Sequence, residues 1–372
     1  MDISELKTPF YLLDEQKLEK NLLLLDFVQK QSGAKILLAL KGFAFWDSFD
    51  LVGKYLSGCC ASGLYEAKLA SEEMQKEVHT YSPAYKDDEI DEIISISNHL
   101  IFNSSSQWQK YKDKAVGKLS CGLRINPETS SSPLDLYNPC SPFSRLGITK
   151  KEFKEELLDG IEGLHFHALC EQNVDALELV LESFELKFGH LLSKLKWVNF
   201  GGGHHITRED YDVEKLIKLI IDFRMRYGVD VYLEPGEAVG WQSGVLVSTV
   251  LDIIHNEKDI VILDTSAEAH MPDTIIMPYR SEVRDAGEAN EKKYTYQLSG
   301  NTCLAGDIMG DYSFDKPLKI GDRVIFEDQL HYSIVKNTTF NGIKLPNLAI
   351  QRKDGSIELV KEFGYENYKE RN

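Results

Sequence analysis

Four groups of residues that could bind a cofactor each lie at or directly after the end of an apolar run. Lys41 follows Leu37–Leu40, and His165-Phe166-His167 ends a second run. Gly201-Gly202-Gly203 follows a third run, and Glu234-Pro235-Gly236-Glu237 ends a fourth. A surface lysine, a core histidine, a loop or a turn would be an ordinary explanation for any one of them alone. Their repeated place at the end of an apolar run predicts one shared site.

The chemistry of these groups is complementary. An amine such as that of Lys41, among apolar neighbours that disfavour its ammonium form, can form an imine with a carbonyl. Three consecutive glycines let backbone N–H groups approach a phosphate, here ahead of a predicted helix at Arg208–Tyr227. A carboxylate such as Glu234 can pair with a protonated pyridine nitrogen, and a histidine can stack on the ring. Together they predict a site for pyridoxal 5'-phosphate (PLP).

The surrounding pattern predicts an α/β fold. Eight short apolar or β-rich runs alternate with stretches of helical periodicity, as in a (β/α)8 TIM barrel, whose active site lies at the C-terminal ends of the strands. The predicted strands are Ile36–Leu40, Cys59–Ala61, Val78–Tyr81, Leu100–Phe102, Gly122–Ile125, Gly163–His167, Trp197–Phe200 and Val231–Glu234. All four groups of candidate residues then lie at strand ends.

From about Gly244 the pattern changes to strands and turns without long helical periodicity, which predicts a second, mostly β domain. We therefore expect a barrel over residues 14–243 and a β domain over 244–372 together with residues 1–13, although the early strand Phe10–Leu13 suits either domain. The predicted strands are Val245–Ile254, Asp259–Leu263, Lys293–Leu298, Arg323–Glu327, Tyr332–Val335, Leu348–Gln351 and Ile357–Val360.

A resemblance to a known family runs over nearly the whole chain. It rests on Thr8-Pro9-Phe10-Tyr11, Leu40-Lys41, Ala61-Ser62-Gly63, Ser144-Arg145-Leu146-Gly147, His165-Phe166-His167, the glycine triplet, Glu234-Pro235-Gly236, Asn301-Thr302-Cys303, Gly306-Asp307, His331-Tyr332-Ser333 and Phe340-Asn341-Gly342. The chain resembles the fold type III PLP enzymes, which include alanine racemase, ornithine decarboxylase and diaminopimelate decarboxylase. A glutamate at 234 argues against a racemase, because the racemases place an arginine against the ring nitrogen.

The resemblance implies a role for each candidate residue. Lys41 would carry the Schiff base, His167 would stack on the pyridine, and Glu234 would bind the ring nitrogen. The phosphate would be held by Gly202, Gly203, Gly236 and Tyr332. The resemblance also implies a head-to-tail homodimer in which Cys303 reaches the partner's site and helps protonate the carbanion left by CO2 loss.

Three sequence segments resemble those of one subgroup, the carboxynorspermidine/carboxyspermidine decarboxylases of polyamine biosynthesis. They are His165–Glu171, Gly201–Thr207 and Asp264–Asp273. At two positions this sequence departs from the wider family in a way that fits the subgroup. It has Glu237 in place of an arginine and Leu304 in place of an acidic residue. A carboxylate at 237 suits a long cationic tail, and Asp264, Glu268 and Asp273 could add negative charge, unless these three are solvated loop residues.

Composition limits the partners. Forty-two Lys and Arg against 59 Asp and Glu give a net charge of −17, which disfavours nucleic acid and favours cations, although solubility alone would also explain it. The N-terminus lacks the features of a signal peptide, and no apolar run is long enough to cross a bilayer. The six cysteines contain no C-x-x-C pair, which predicts free thiols in a cytoplasmic protein without a metal site.

Other functions stay open on the sequence alone. His165-x-His167 with His204-His205 could bind a metal in a barrel hydrolase, although such enzymes usually carry their His-x-His after the first strand. A non-catalytic PLP-binding barrel would lack the second domain with Cys303 and Tyr332. Diaminopimelate or ornithine decarboxylase is the nearest alternative within the enzyme class.

Overall fold

A computed structural model describes residues 3–132 and 135–372. Residues 1 and 2, which the sequence analysis assigns to the β domain, lie outside this described part. The chain divides into two compact units. One contains residues 20–42 and 46–239, and the other contains residues up to 19, Phe43–Phe45 and Gly240–Asn372. In the described part, no helix is long and apolar enough to span a membrane.

The first unit contains a closed barrel of eight parallel strands in sequential order, and the prediction of a (β/α)8 barrel is confirmed. Lys35 on the first of these strands pairs in register with Tyr232 on the last, which closes the barrel. The barrel strands are β2 (Lys35–Ala39), β3 (Gly58–Ala61), β4 (Glu77–Tyr81), β5 (His99–Phe102), β6 (Ser120–Arg124), β7 (Gly163–His165), β8 (Trp197–Asn199) and β9 (Asp230–Leu233).

Helices precede and connect these strands. They are α1 (Glu15–Ser32), α2 (Phe49–Tyr55), α3 (Leu64–Leu69), α4 (Ile90–Ile96), α5 (Ser105–Ala115), α6 (Val174–Phe188), α7 (Val213–Tyr227) and α8 (Glu237–Gly240). The predicted start of α7 at Arg208 is wrong. The side chain of Asp212 caps the helix by accepting from the backbone N–H of Lys215 at 2.9 Å, and Arg208 lies in the preceding turn, bound to Asp210.

Trp197 is the largest of the side chains packed together in the barrel interior, where it lies beside Tyr232. Its indole lies against Gly122 and Gly163, where a Cβ atom would come within 2.4 Å and 2.0 Å of the ring. The indole N–H donates to Ser120 Oγ at 2.8 Å. These two glycines on neighbouring strands therefore provide the space for the tryptophan, and the barrel is packed rather than hollow.

The second unit is built on a mixed eight-stranded sheet, as the predicted mostly β domain requires. The strand order is β13-β12-β11-β10-β1-β15-β16, with β14 also paired to β10. Its strands are β1 (Phe10–Asp14), β10 (Gly244–Asn256), β11 (Lys258–Leu263), β12 (Tyr294–Ser299), β13 (Ile308–Phe314), β14 (Arg323–Glu327), β15 (Asn347–Gln351) and β16 (Ile357–Lys361). Three short helices complete it, α9 (Ala267–His270), α10 (Asp273–Ile276) and α11 (Tyr365–Arg371).

Two features of the second unit differ from the sequence expectation. Residues 332–335 form turns rather than a strand, because the backbone N–H groups of Val335 and Lys336 donate back to the carbonyl of Tyr332. Tyr332 itself has a left-handed φ of 51°. Strand β13 was not predicted, since Gly310 and Asp311 interrupt its apolar pattern.

Candidate active site

The four candidate groups in the barrel unit lie at one edge. Strands β2, β7, β8 and β9 are parallel, and they end just before Lys41, His167, the glycine triplet and Glu234 respectively. The carboxyl ends of parallel barrel strands share one edge, so the structure brings these groups to the same end of the barrel. Lys41 is exposed there.

His167 is oriented by the glycine triplet. The backbone N–H of Gly202 donates to His167 Nδ1 at 2.8 Å, so a neutral imidazole carries its proton on Nε2. Burial, with a contribution from the charges of Lys41 and Arg124, lowers the pKa of His167 well below its usual value. A neutral, fixed ring is suited to stack against a flat cofactor.

Glycine is required in the triplet. A Cβ at Gly202 would lie 2.4 Å from the carbonyl oxygen of Glu234, and one at Gly203 would lie 2.1 Å from that of Leu169. Gly203 also has a left-handed φ of 82°. The loop can therefore adopt this backbone only without side chains. The N–H of Gly201 donates to Asn199 Oδ1 at 2.8 Å and that of Gly202 to His167 Nδ1, so the N–H of Gly203 is the candidate phosphate donor of the triplet. Because α7 begins at Val213, the triplet is not at its N-terminus, and the positive end of that helix does not lie at this loop.

Glu234 is a buried carboxylate with two side-chain partners. Asn199 Nδ2 donates to Oε1 at 2.6 Å, and His165 Nε2 lies 3.2 Å from Oε2. Burial alone would raise the pKa of Glu234, but His165 and the Asn199 amide hold it below its usual value. The carboxylate therefore keeps its negative charge, as pairing with a protonated pyridine nitrogen requires.

Gly236 and Glu237 follow Glu234 in the same loop. A Cβ at Gly236 would approach the carbonyl oxygen of Ala39 to 3.0 Å and Gly42 Cα to 3.1 Å, so this loop packs closely on the turn that carries Lys41. Glu237 begins α8, and its Oε1 lies 3.4 Å from Nε2 of the buried His205.

Arg124 at the end of β6 was not singled out in the sequence. Its buried guanidinium donates to the carbonyl of His167 at 3.3 Å and lies over the ring of Tyr81, 4.5 Å from the centroid. A charged residue within the predicted apolar run Gly122–Ile125 was the available signal. It adds a fixed positive charge beside His167.

In the sheet unit, Cys303 is exposed and its backbone N–H donates to Asn341 Oδ1 at 2.7 Å. The half-buried Tyr332 lies in the turn described above, with Lys336 Nζ 5.1 Å from its ring centroid. These two residues belong to the C-terminal unit rather than to the barrel edge, and their roles in catalysis stay predictions.

The three further acidic residues have different surroundings. Asp264 accepts from Thr8, Ser248 and the Thr249 backbone, at 2.5 to 2.8 Å. Both oxygens of Asp273 lie 2.7 Å from Lys336 Nζ. By contrast, Oε2 of Glu268 is buried without a hydrogen-bond partner among the described residues. Burial and the neighbouring charge of Asp307 raise the pKa of Glu268.

The four histidines of the alternative metal site do not converge. His167 Nδ1 accepts from Gly202 and His165 Nε2 faces Glu234. In the described part of the chain, the residues whose potential ligand atoms do lie within 4.8 Å of one another are Glu77, His79 and His99. The rings of His79 and His99 are stacked at 3.8 Å with an interplanar angle of 22°, so their in-plane lone pairs do not point at a common centre.

A barrel with this lysine, imidazole and carboxylate at one edge, joined to a β-sheet unit, defines a class of PLP enzymes. The family model described as pyridoxal-dependent decarboxylase, C-terminal sheet domain, matches residues 10–329. The chain belongs to this family.

Individual relatives confirm the predicted subgroup. The chain is 58% identical, over the whole of both proteins, to a carboxynorspermidine/carboxyspermidine decarboxylase of Campylobacter jejuni. It is 44% identical to a carboxyaminopropylagmatine decarboxylase of Synechocystis, covering 99% of this chain and 96% of that protein. A crystal structure of carboxynorspermidine decarboxylase from Campylobacter jejuni, complexed with norspermidine, superimposes with a TM-score of 0.94 at 57% identity, over 99% of this chain and 100% of the other.

Proposed function

We propose that the protein uses PLP to decarboxylate carboxynorspermidine and carboxyspermidine, giving norspermidine and spermidine. The observation that carries this proposal is the 58% identity over the full length of the Campylobacter enzyme with that name. The site supports it independently, because the barrel edge combines an amine, a fixed neutral imidazole and an ionised buried carboxylate, which suit PLP.

Each of the candidate residues would have a separate role in holding the cofactor. Lys41 would hold the cofactor through its amine, and His167 would face the ring. The phosphate would be held at Gly202, Gly203 and Gly236, with the Tyr332 hydroxyl. The backbone N–H groups of Gly203 and Gly236 would donate to it, because the N–H of Gly202 donates to His167 Nδ1. Glu234 would keep a proton on the ring nitrogen. When bound, PLP supplies the acceptor for the electrons that departing CO2 leaves behind.

Glu268 and Glu237 are the strongest candidates for binding the substrate's amine tail. An unpaired buried carboxylate oxygen is unfavourable, and a donated ammonium N–H would satisfy the one on Glu268. Glu237 adds a half-buried carboxylate at the barrel edge. Asp264 and Asp273 remain in the proposed substrate set, but their existing partners give them a structural role first.

CO2 release from a panel of substrates tests the function. The panel contains carboxynorspermidine, carboxyspermidine, diaminopimelate and ornithine, each with PLP-loaded enzyme. We expect turnover of both carboxypolyamines, with kcat/KM at least about a hundredfold above that for ornithine, as two independent charge-assisted contacts would give. Comparable kcat/KM for ornithine or diaminopimelate would contradict the proposed substrate.

A second candidate substrate follows from the Synechocystis relative, named carboxyaminopropylagmatine decarboxylase. Agmatine ends in a guanidinium, whereas a polyamine ends in an ammonium. A planar guanidinium binds a carboxylate through two parallel hydrogen bonds, so the two tails make different demands on Glu237 and Glu268. Adding carboxyaminopropylagmatine to the same panel distinguishes them, and the higher kcat/KM identifies the preferred tail.

A further inference from the structure

Asp307 is a buried carboxylate that connects two separate segments of the sheet unit. Its Oδ1 accepts from Ser266 Oγ at 3.0 Å and from the backbone N–H of Ala267 at 2.7 Å. Its Oδ2 accepts from Thr302 Oγ1 at 2.6 Å and from the Thr302 backbone at 3.2 Å. Each carboxylate oxygen therefore accepts hydrogen bonds from one of the two segments.

The first segment carries Glu268. Ser266 caps the four-residue helix α9, accepting from the Ala269 backbone at 3.1 Å. Asp307 accepts from the first N–H groups of the same helix, including that of Glu268 at 3.4 Å. So short a helix has little stability of its own, and these bonds to Asp307 set its position.

The second segment carries Cys303. Besides the bonds to Thr302, the backbone of Asp307 donates to the carbonyl of Leu304 at 3.0 Å and accepts from Gly300 at 2.8 Å. A Cβ at Gly300 would lie 2.2 Å from Asp307 Oδ2, so the chain passes directly over the carboxylate. The loop around Cys303 is thereby held at both ends.

We propose that Asp307 is a positioning residue that fixes Cys303 and Glu268 relative to each other, so that one carboxylate supports both proton return and recognition of the substrate's amine tail. This rests on the proposed function. In that reaction the bond from the substrate carbon to its carboxylate breaks and CO2 leaves without the bonding electrons. A proton from the Cys303 thiol then forms the new C–H bond, and the thiolate regains a proton from water.

The chemistry of a carboxylate explains why an amide cannot replace it. An ionised carboxylate offers acceptors on both oxygens, whereas an asparagine offers one acceptor and one donor group. In Asp307→Asn, the NH2 group would face the donors of one segment. One of the two segments would lose its support while the side chain kept its size.

Kinetics of the PLP-loaded enzyme on carboxynorspermidine test the proposal. Asp307→Asn should lower kcat/KM about tenfold or more. The molar ratio of norspermidine formed to CO2 released should fall below one, because a proton returned to the cofactor instead of the substrate carbon would give an aldehyde in place of norspermidine. Ser266→Ala removes a bond on the Glu268 side only, so KM should rise while the ratio stays at one. Thr302→Val removes a bond on the Cys303 side only, so kcat and the ratio should fall while KM stays near wild type.

Asp311→Asn is the matched control, because it makes the same change on β13, at a half-buried residue paired with Lys258. It should leave kcat, KM and the ratio unchanged. If Ser266→Ala and Thr302→Val change the same parameter, or if neither changes anything, the positioning role is overturned, even where Asp307→Asn fails to fold. If wild-type enzyme releases no CO2 from carboxynorspermidine, the proposed function has failed instead.

Discussion

Glu234 shows how its neighbours decide the state of a single residue. Burial would favour the neutral acid, but the His165 ring and the Asn199 amide lie within hydrogen-bonding distance and keep the carboxylate charged. His167 is the opposite case, since burial keeps its imidazole neutral. The same barrel edge thus provides a fixed anion and a fixed neutral ring, which are the two states that a protonated pyridine and its flat face require.

Replacing the Glu234 carboxylate with a neutral group should therefore slow catalysis while PLP still binds. Glu234→Gln keeps the size and an acceptor for Asn199 but removes the charge, so we expect PLP to bind while kcat falls about a hundredfold or more. Absorbance of the bound cofactor and kcat on carboxynorspermidine measure the two effects. Glu214→Gln, an exposed site on α7, is the control. Activity within a few-fold of wild type would refute the role given to Glu234.

Lys41 is the expected attachment point of the cofactor, because it is the candidate lysine at the ends of the barrel strands. Lys41→Ala should abolish both the imine absorbance and CO2 release. Lys35→Ala, a lysine at the opposite end of the same strand, is the control for loss of an amine. A Lys41→Ala protein that still shows the imine band after extensive dialysis would rule out this assignment.

The two candidate tail-binding glutamates should affect binding more than chemistry. Glu237→Gln and Glu268→Gln each remove one partner of the amine tail and leave the reacting carbon untouched, so KM for carboxynorspermidine should rise about tenfold or more while kcat changes less. Steady-state kinetics separate the two parameters, and Asp252→Asn on the exposed part of β10 serves as control. An unchanged KM in both variants would remove the tail contacts from the proposal.

At the scale of elements, the eight barrel strands could be predicted because each is a short apolar run between helical segments. The turn at Tyr332 and the start of α7 could not be predicted. Both are set by local hydrogen bonds, which several different sequences could form. Partners distant in the chain are also invisible in a single sequence. Asp273 meets Lys336 and Asp264 meets Thr8 only through the fold, so both looked like available carboxylates.

The edge of the barrel opposite Lys41 contains a second polar group at the starts of β2, β4 and β5. The rings of His79 and His99 stack there, near Glu77, which pairs with Lys35 at 2.5 Å. Burial and the neighbouring His79 lower the pKa of His99 to about 3. Trp197 and Tyr232 complete the surroundings of the two rings.

This element should make stability depend on pH. In the unfolded chain His99 has an ordinary pKa near 6.5, so below that value the unfolded state binds a proton that the folded state resists. The stabilisation is complete above pH 6.5 and is lost as pH falls towards the folded value. We expect Tm to fall between pH 6.5 and 5, and to fall less in His99→Phe. His190→Phe, at an exposed position, is the control. Equal slopes for wild type and His99→Phe would contradict this.

At the scale of the whole molecule, the charge of −17 and the expected dimer both bear on the reaction. An acidic surface attracts a cationic substrate, and salt screens that attraction beyond about 8 to 10 Å. The dimer is a further proposal, in which Cys303 acts in the site of the partner.

Mixing two inactive variants tests the shared site. Lys41→Ala and Cys303→Ala subunits that exchange freely should form heterodimers in half of the molecules, each with one intact site of two, and so recover about a quarter of wild-type activity. Cys121→Ala, a buried cysteine of the barrel, is the control for loss of a thiol. Mixtures that stay as inactive as their components would show that Cys303 does not act in trans.

The packing of the Trp197 indole against the backbone of two glycines also limits which substitutions can accumulate in related proteins. Neither Gly122 nor Gly163 can acquire a side chain while the indole is present, and shrinking the indole first leaves a void that costs stability. The three positions must therefore be inherited as a set. Divergent homologues with a small residue at 197 should carry larger residues at 122 or 163, and ancestral reconstructions should place these exchanges on the same branch.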